Sequence, residues 1–215
     1  MMIKPFIAFV RITGWLPQLL CFRTKIHYED AAVQKRRIKG PAIIVSNHTS
    51  VYDYAVYLFV FMSRVLRFQM AEVLYERKPL ALLLKMLGGI RVDRNGHDFG
   101  FVIQSEDILN SGGVVGIFPE SRLPRAGETT PLEFKTSAAY IALSSGAPII
   151  PVYTDGSYFK KKRANVIIGK PFYASELADS SLSDKENIAL VSNKMRSKII
   201  ELRGMLDERT KGKKA

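Results

Sequence analysis

Ala42-Ile43-Ile44-Val45-Ser46-Asn47-His48-Thr49-Ser50-Val51-Tyr52-Asp53 opens as an unbroken apolar run and closes as a polar motif. Such a run, followed by a longer apolar stretch, reads as a buried strand that feeds a helix over residues 51–66. The arrangement recurs downstream. Ile90-Arg91-Val92 leads into Asp93-Arg94, and the run from Val114 to Phe118 leads into Pro119-Glu120. Further strands are expected at 24–30, 67–71, 149–153 and 165–168, and helices at 79–87, 100–109 and 134–143. In the last helix Ile188, Val191, Met195, Ile199, Leu202 and Leu206 recur at helical spacing. Strands and helices alternate, which predicts an α/β domain with a mixed, largely parallel sheet flanked by helices. In such a sheet ligands gather beyond the carboxyl ends of the strands, so His48, Arg94 and Glu120 would share one rim.

His48 and Asp53 offer a base and a carboxylate to orient it. On an ideal helix residues five apart sit about 140° from each other, so contact requires His48 to lie in the loop before the helix. The pair could then take a proton from an alcohol, the carboxylate fixing the imidazole tautomer. A plainer reading competes: Ser50 to Asp53 matches a capping box, with Thr49 or Ser50 as N-cap and Asp53 bonding only to backbone. No Gly-x-Ser-x-Gly elbow occurs, and the one cysteine, Cys21, lies in an apolar segment, so an acyl-enzyme is not expected. No His/Cys cluster stands at metal-ligand spacing, and neither a metal nor a tightly bound cofactor is expected.

At 215 residues and 47% hydrophobic, the chain suffices for one sizeable core. It divides into an N-terminal segment 1–23, a folded domain 24–208 and a basic tail 209–215. The single cysteine excludes an intrachain disulfide and suits a reducing compartment. A net charge of +12 favours anionic partners, whether nucleic acid, a membrane surface, an acidic carrier or a phosphorylated substrate, or else marks a solvated face. The aromatic residues stand in apolar runs, not beside the Lys and Arg clusters, so nucleic acid is not expected as a partner. Residues 3–22 are apolar but interrupted by Lys4, Arg11, Gly14 and Pro17. An arginine mid-span costs roughly 2.5–3.5 kcal/mol to insert, so the segment is expected to lie at the lipid headgroup boundary, with Trp15 as anchor. A helix packed on the domain's own core is the competing reading.

Four short motifs in order resemble those of the glycerolipid acyltransferase family. Asn47 to Asp53 is similar to its His-x4-Asp motif, Gly89-Ile90-Arg91-Val92-Asp93-Arg94 to its second, Phe118-Pro119-Glu120-Ser121-Arg122 to its third, and Ala147-Pro148-Ile149-Ile150-Pro151-Val152 to its fourth. Phe134-Lys135 also falls where the family has Phe-Lys. The resemblance implies transfer of an acyl group from a thioester, on coenzyme A or acyl carrier protein, to the free hydroxyl of a lysophospholipid, 1-acylglycerol-3-phosphate foremost. It implies a membrane-associated enzyme of phospholipid synthesis, peripheral or monotopic and on the cytoplasmic face. His48 and Asp53 would be catalytic. Arg94, Arg91, Glu120, Ser121, Arg122 and Lys135 would meet the acceptor, and Pro148 and Pro151 would wall the acyl-donor site. On physical grounds Arg94 could hold a phosphate by a bidentate contact or, as the lesser alternative, form a surface ion pair, and Arg91 could pair with Asp93 or face solvent. Glu120 could orient hydroxyls or Arg122, or join a buried ion pair. The third motif departs from the family pattern: Ser121 replaces glycine and the arginine comes one residue early, so Arg125 stands beside Arg122 as a candidate.

Overall fold

The structure, a computed structural model, describes residues 3–93, 98–160 and 162–211. Seven strands form one sheet in the order β1 (Lys25–Tyr28), β7 (Asn165–Ile168), β6 (Ile149–Thr154), β2 (Ala42–Ser46), β5 (Val114–Ile117), β3 (Leu66–Ala71) and β4 (Ile90–Val92). The five strands from β6 to β4 run parallel. β7 runs antiparallel to β6, and β1 follows β7. Every residue of β2, β5 and β6 is buried, as continuous apolar runs covered on both faces require.

Alternation along each strand divides the core into two layers. Ile43 and Val45 point toward α4 (Gly100–Asn110), α5 (Ser137–Ser145) and α6 (Asp184–Lys211). Ala42 and Ile44 point toward α2 (Asp53–Val60) on the other face. Gly116 of β5 faces this second layer, where a Cβ would stand 2.4 Å from the Phe68 ring. Only glycine leaves room for that ring.

Several element ends differ from the expected ones. The helix expected over 51–66 stops at Val60, and Leu66 already begins β3. Its end is capped from outside by Arg11, whose guanidinium donates to the carbonyls of Leu58 (3.0 Å), Phe61 (3.2 Å), Met62 (2.8 Å) and Arg64 (2.7 Å). A cation is favoured where helix-terminal carbonyls lack partners. α5 starts at Ser137, not residue 134, because Lys135 N–H is drawn to the Pro119 carbonyl at 2.8 Å. α6 runs to Lys211, so residues 209–211 of the segment set apart as a basic tail are helical, and Arg209 donates to the Tyr28 carbonyl at 2.7 Å.

Arg11 belongs to α1 (Ile3–Cys21), a helix that buries only Ile7. The arginine that interrupts this apolar segment is thus a structural cap. Phe9, Ile12, Trp15, Leu16 and Leu20 remain exposed on α1, as do Leu82 and Leu83 on the neighbouring α3 (Lys78–Met86). Among the described residues no helix is long and apolar enough to cross a membrane.

Candidate active site

Because β2, β4 and β5 are parallel, the residues that follow them emerge on one rim. His48 sits in the loop two residues beyond β2, the placement that contact with Asp53 demands. Its Nδ1 is 2.9 Å from Asp53 Oδ2. Asp53 is fully buried at the first turn of α2. Oδ2 also accepts the backbone N–H groups of Thr49 (2.7 Å) and Ser50 (2.9 Å). Oδ1 accepts the Thr49 hydroxyl (2.9 Å) and the Tyr158 hydroxyl (2.6 Å). Anchoring the loop backbone and orienting the imidazole are therefore not alternatives, since one carboxylate does both. Neither Thr49 nor Ser50 is the N-cap; Tyr52 takes that position without a side-chain bond.

An acceptor-only oxygen facing Nδ1 requires a proton there, which leaves Nε2 as the acceptor of the neutral ring. Nε2 has no hydrogen-bond partner among the described residues, and the side chain is 20% exposed. The ring plane is set by stacking on Phe118, with centroids 4.2 Å apart and planes 13° apart. Phe118 stacks on Phe68 at 5.0 Å, and Phe68 on Tyr57 at 5.9 Å. The space above Gly116 thus supports the column on which the imidazole rests. Asn47 fixes the same loop from below: its side-chain amide exchanges two hydrogen bonds with the backbone of Thr154, at 3.0 and 2.9 Å, joining the ends of β2 and β6.

Glu120 meets this loop through its backbone. Oε1 accepts His48 N–H at 2.8 Å and Oε2 accepts Leu132 N–H at 2.9 Å. It braces two loops and joins no ion pair among the described residues. Burial pushes its carboxyl above the ordinary range, while the two N–H groups pull it down. Glu120→Gln would turn an NH2 toward one of these donors and orphan a buried N–H. The expected loss is about 1–3 kcal/mol, read from the urea midpoint at unchanged m-value.

Beyond Glu120 lies a cleft of about 430 Å³, lined by Glu72, Glu120, Ser121, Arg122, Leu132, Glu133 and Lys135. Four of the expected acceptor-binding residues therefore come together. Ser121 stands at φ 59°, the left-handed conformation that the glycine of the related motif adopts freely and that costs other residues roughly 1–2 kcal/mol. Arg122 donates to both oxygens of Glu128, at 2.6 and 2.8 Å. That pairing and the Arg125 N–H hold the exposed Glu128 carboxyl down to about 2. Lys135 is exposed and has no acidic partner among the described residues.

Other expected residues fall elsewhere. Arg91 is exposed on edge strand β4, close enough to Tyr75 to act on its hydroxyl, and does not line the cleft. Arg94 lies outside the described residues. Pro148 precedes β6, its carbonyl accepting Ile43 N–H at 2.9 Å at the start of β2. That is the opposite end of the sheet from His48, with the length of β2, about 13 Å, between them. Pro151 is buried within β6, packed with Gly169 beside Leu202 of α6. Neither proline borders the cleft: the apolar run they punctuate builds the sheet interior.

A family model described as Acyltransferase matches residues 23–155, from the first strand to the end of β6, including His48, Asp53 and Glu120. The chain belongs to the acyltransferase family. Among its relatives, 1-acyl-sn-glycerol-3-phosphate acyltransferase beta of Homo sapiens is 27% identical over 158 residues, 70% of this chain and 56% of the relative. The 1-acyl-sn-glycerol-3-phosphate acyltransferase of Borreliella burgdorferi is 27% identical over 128 residues, 57% of this chain and 50% of that protein. The chain spans about half the length of the curated relatives it matches. The crystal structure of the 1-acyl-sn-glycerophosphate (LPA) acyltransferase PlsC from Thermotoga maritima superposes with a TM-score of 0.61 at 20% identity, covering 94% of this chain and 79% of that one. That likeness is one of fold. The mixed α/β architecture expected for an acyltransferase of this family is the one observed.

Three contributors to the site had no individual signal in the sequence. Tyr158 lies 105 positions from the carboxylate it contacts. Phe118 ends a buried strand and opens the third motif, but nothing in the sequence assigns it the stacking contact with His48. Asn47 is within the motif, yet its pairing with Thr154 depends on β6 lying beside β2.

Proposed function

We propose that the protein transfers an acyl group from a thioester to the free hydroxyl of a lysophospholipid, with 1-acylglycerol-3-phosphate the foremost acceptor. The observation that carries this reading is an imidazole whose Nδ1 faces a buried carboxylate while its Nε2 is open at the sheet rim. Membership of the acyltransferase family and the activity for which its relatives are named support it.

In this mechanism Nε2 takes the proton of the acceptor hydroxyl as its oxygen attacks the thioester carbonyl. Asp53 stabilises the imidazolium that forms. The tetrahedral oxyanion then collapses, the C–S bond breaks, and the departing thiolate takes the proton back from Nε2. No acyl-enzyme is formed. The acceptor phosphate is assigned to the cationic side of the cleft. Lys135 has its charge unengaged by any described carboxylate, and Arg122 would join on releasing Glu128; Arg94, two residues after Val92 in sequence, is assigned to the same phosphate. A bidentate guanidinium contact would hold the headgroup while the hydroxyl reaches Nε2.

The exposed apolar residues of α1 and α3 are read as the surface that meets the bilayer. Trp15 and the neighbouring Phe and Leu side chains suit the headgroup boundary, and the net charge of +12 suits anionic lipid on a cytoplasmic face. Donor and acceptor are tested together by thiol release from acyl-CoA and acyl carrier protein across a panel of lysophospholipids. The expected result is release that requires an acceptor and is fastest with 1-acylglycerol-3-phosphate. Release independent of any acceptor, or none with any pair, would overturn the reading.

A further inference from the structure

The Tyr158 hydroxyl is buried and has two partners. It lies 2.6 Å from Asp53 Oδ1 and 3.0 Å from Thr154 Oγ1. Its single proton is required by the carboxylate oxygen, which can only accept. Thr154 must therefore donate to Tyr158, and Thr154 Oγ1 in turn accepts the Gly156 N–H at 3.3 Å. The result is a chain of donors pointing one way, from Gly156 through Thr154 and Tyr158 to Asp53. Each bond in such a chain polarises the next.

We propose that Tyr158 is a positioning residue for the catalytic pair, holding the Asp53 carboxylate at the angle that presents Oδ2 to His48. The proposal rests on the acyl-transfer reading for its kinetic meaning, but its geometry stands without it. Asp53 is the first residue of α2, and rotation about its terminal torsion is soft. Oδ2 meets the rigid backbone donors and the imidazole. Oδ1 is held by two hydroxyls, and of these only Tyr158 comes from outside the motif.

The tyrosine ring is itself fixed. Phe22, just beyond the end of α1, packs edge-on against it at 5.3 Å. The adjacent Phe159 N–H donates to the Cys21 carbonyl at 2.9 Å, and Ala164 N–H donates to that of Phe22 at 3.1 Å. The loop after β6 is thereby tied to the end of the N-terminal helix, and the hydroxyl is delivered to Asp53 from a braced position. Burial and the facing Asp53 both push the phenol well above its ordinary range, so it stays protonated and donates. Among the described residues, the other titratable groups facing the pair are Tyr57 from α2 and Glu120, just after β5.

The test is Tyr158→Phe, which removes one oxygen and keeps the ring against Phe22. A carboxylate with one donor fewer carries more unneutralised charge toward the imidazole, and so favours the imidazolium. The acidic limb of the rate profile is therefore expected to move to higher pH by about half a unit. On the alkaline plateau kcat is expected to fall about tenfold while KM for donor and acceptor changes by less than about twofold. Thr154→Val, one bond further away, should move both readouts the same way by less. The imidazole titration of His48, followed by 15N NMR in the same proteins, reads the shift without turnover. It therefore decides the role of Tyr158 even if no donor and acceptor pair supports transfer, a result that would sink only the acyl-transfer reading. Coincident titrations in wild type and Tyr158→Phe would overturn the proposal. So would a rate loss that leaves the acidic limb in place and merely tracks a lower Tm, because that is packing alone.

Discussion

His48→Ala is expected to lower the rate of acyl transfer by about a hundred- to ten-thousandfold, the range that a positioned general base supplies. It should do so without unfolding the protein. The substitution removes a partly exposed ring from the top of the aromatic column, and the remaining stack of Phe118, Phe68 and Tyr57 is unchanged beneath it. Asp53 is not orphaned, because the Thr49 and Ser50 N–H groups and the Thr49 and Tyr158 hydroxyls still converge on it. No buried charge is left without partners, so stability should change by about 1 kcal/mol or less. Thiol release in steady state and urea unfolding check the two halves. Wild-type turnover in this variant would remove His48 from the chemistry.

Asp53→Asn is expected to approach the same kinetic loss and to cost stability as well. The amide can keep its oxygen at the Oδ2 position, where three N–H donors meet it. Its NH2 then faces two hydroxyls that must reverse and accept, and the donor chain through Tyr158 and Thr154 runs backwards. The geometry around His48 survives, but the charge that stabilises the imidazolium is gone. Charge-assisted hydrogen bonds become neutral ones, at a cost of about 1–3 kcal/mol. Were Asp53 only a cap, the same substitution would cost about 0.5–2 kcal/mol in stability with little kinetic effect. Single-turnover rates together with unfolding midpoints separate the two cases.

Much of the frame could be read from local sequence. The run from Ala42 to Ser46 is the strand it looks like, and so is Asn165–Ile168, because a sheet buried on both faces needs unbroken apolar stretches. The shared rim followed from parallel strands once their polar ends had been noticed. Features that depend on distant chain were not legible. The helix after the motif ends at Val60 where Arg11, some fifty positions earlier, takes its carbonyls, and no local breaker marks the place. Pro148 and Pro151 stand in a motif of the family, yet Pro148 enters β6 at the end of the sheet away from His48 and Pro151 lies inside the strand, a placement that only the register of β6 on β2 reveals. Asp53 seemed to require a choice between bonding the backbone and bonding His48, and a carboxylate with two oxygens and several lone pairs does both without a capping box being formed. The serine at position 121 looked like a missing glycine; its left-handed backbone keeps the turn that glycine would make.

The tautomer of His48 tests the central claim most directly. In neutral imidazole the two ring nitrogens are distinguishable by 15N NMR, and the bond to Asp53 requires the proton on Nδ1 with Nε2 bare and ready to accept from a hydroxyl. Wild-type protein above the imidazole titration should show a protonated Nδ1 and an unprotonated Nε2, and Asp53→Asn should weaken that preference. A proton resident on Nε2 in the wild type would contradict the account, because the exposed ring nitrogen would then have no lone pair with which to take the acceptor's proton.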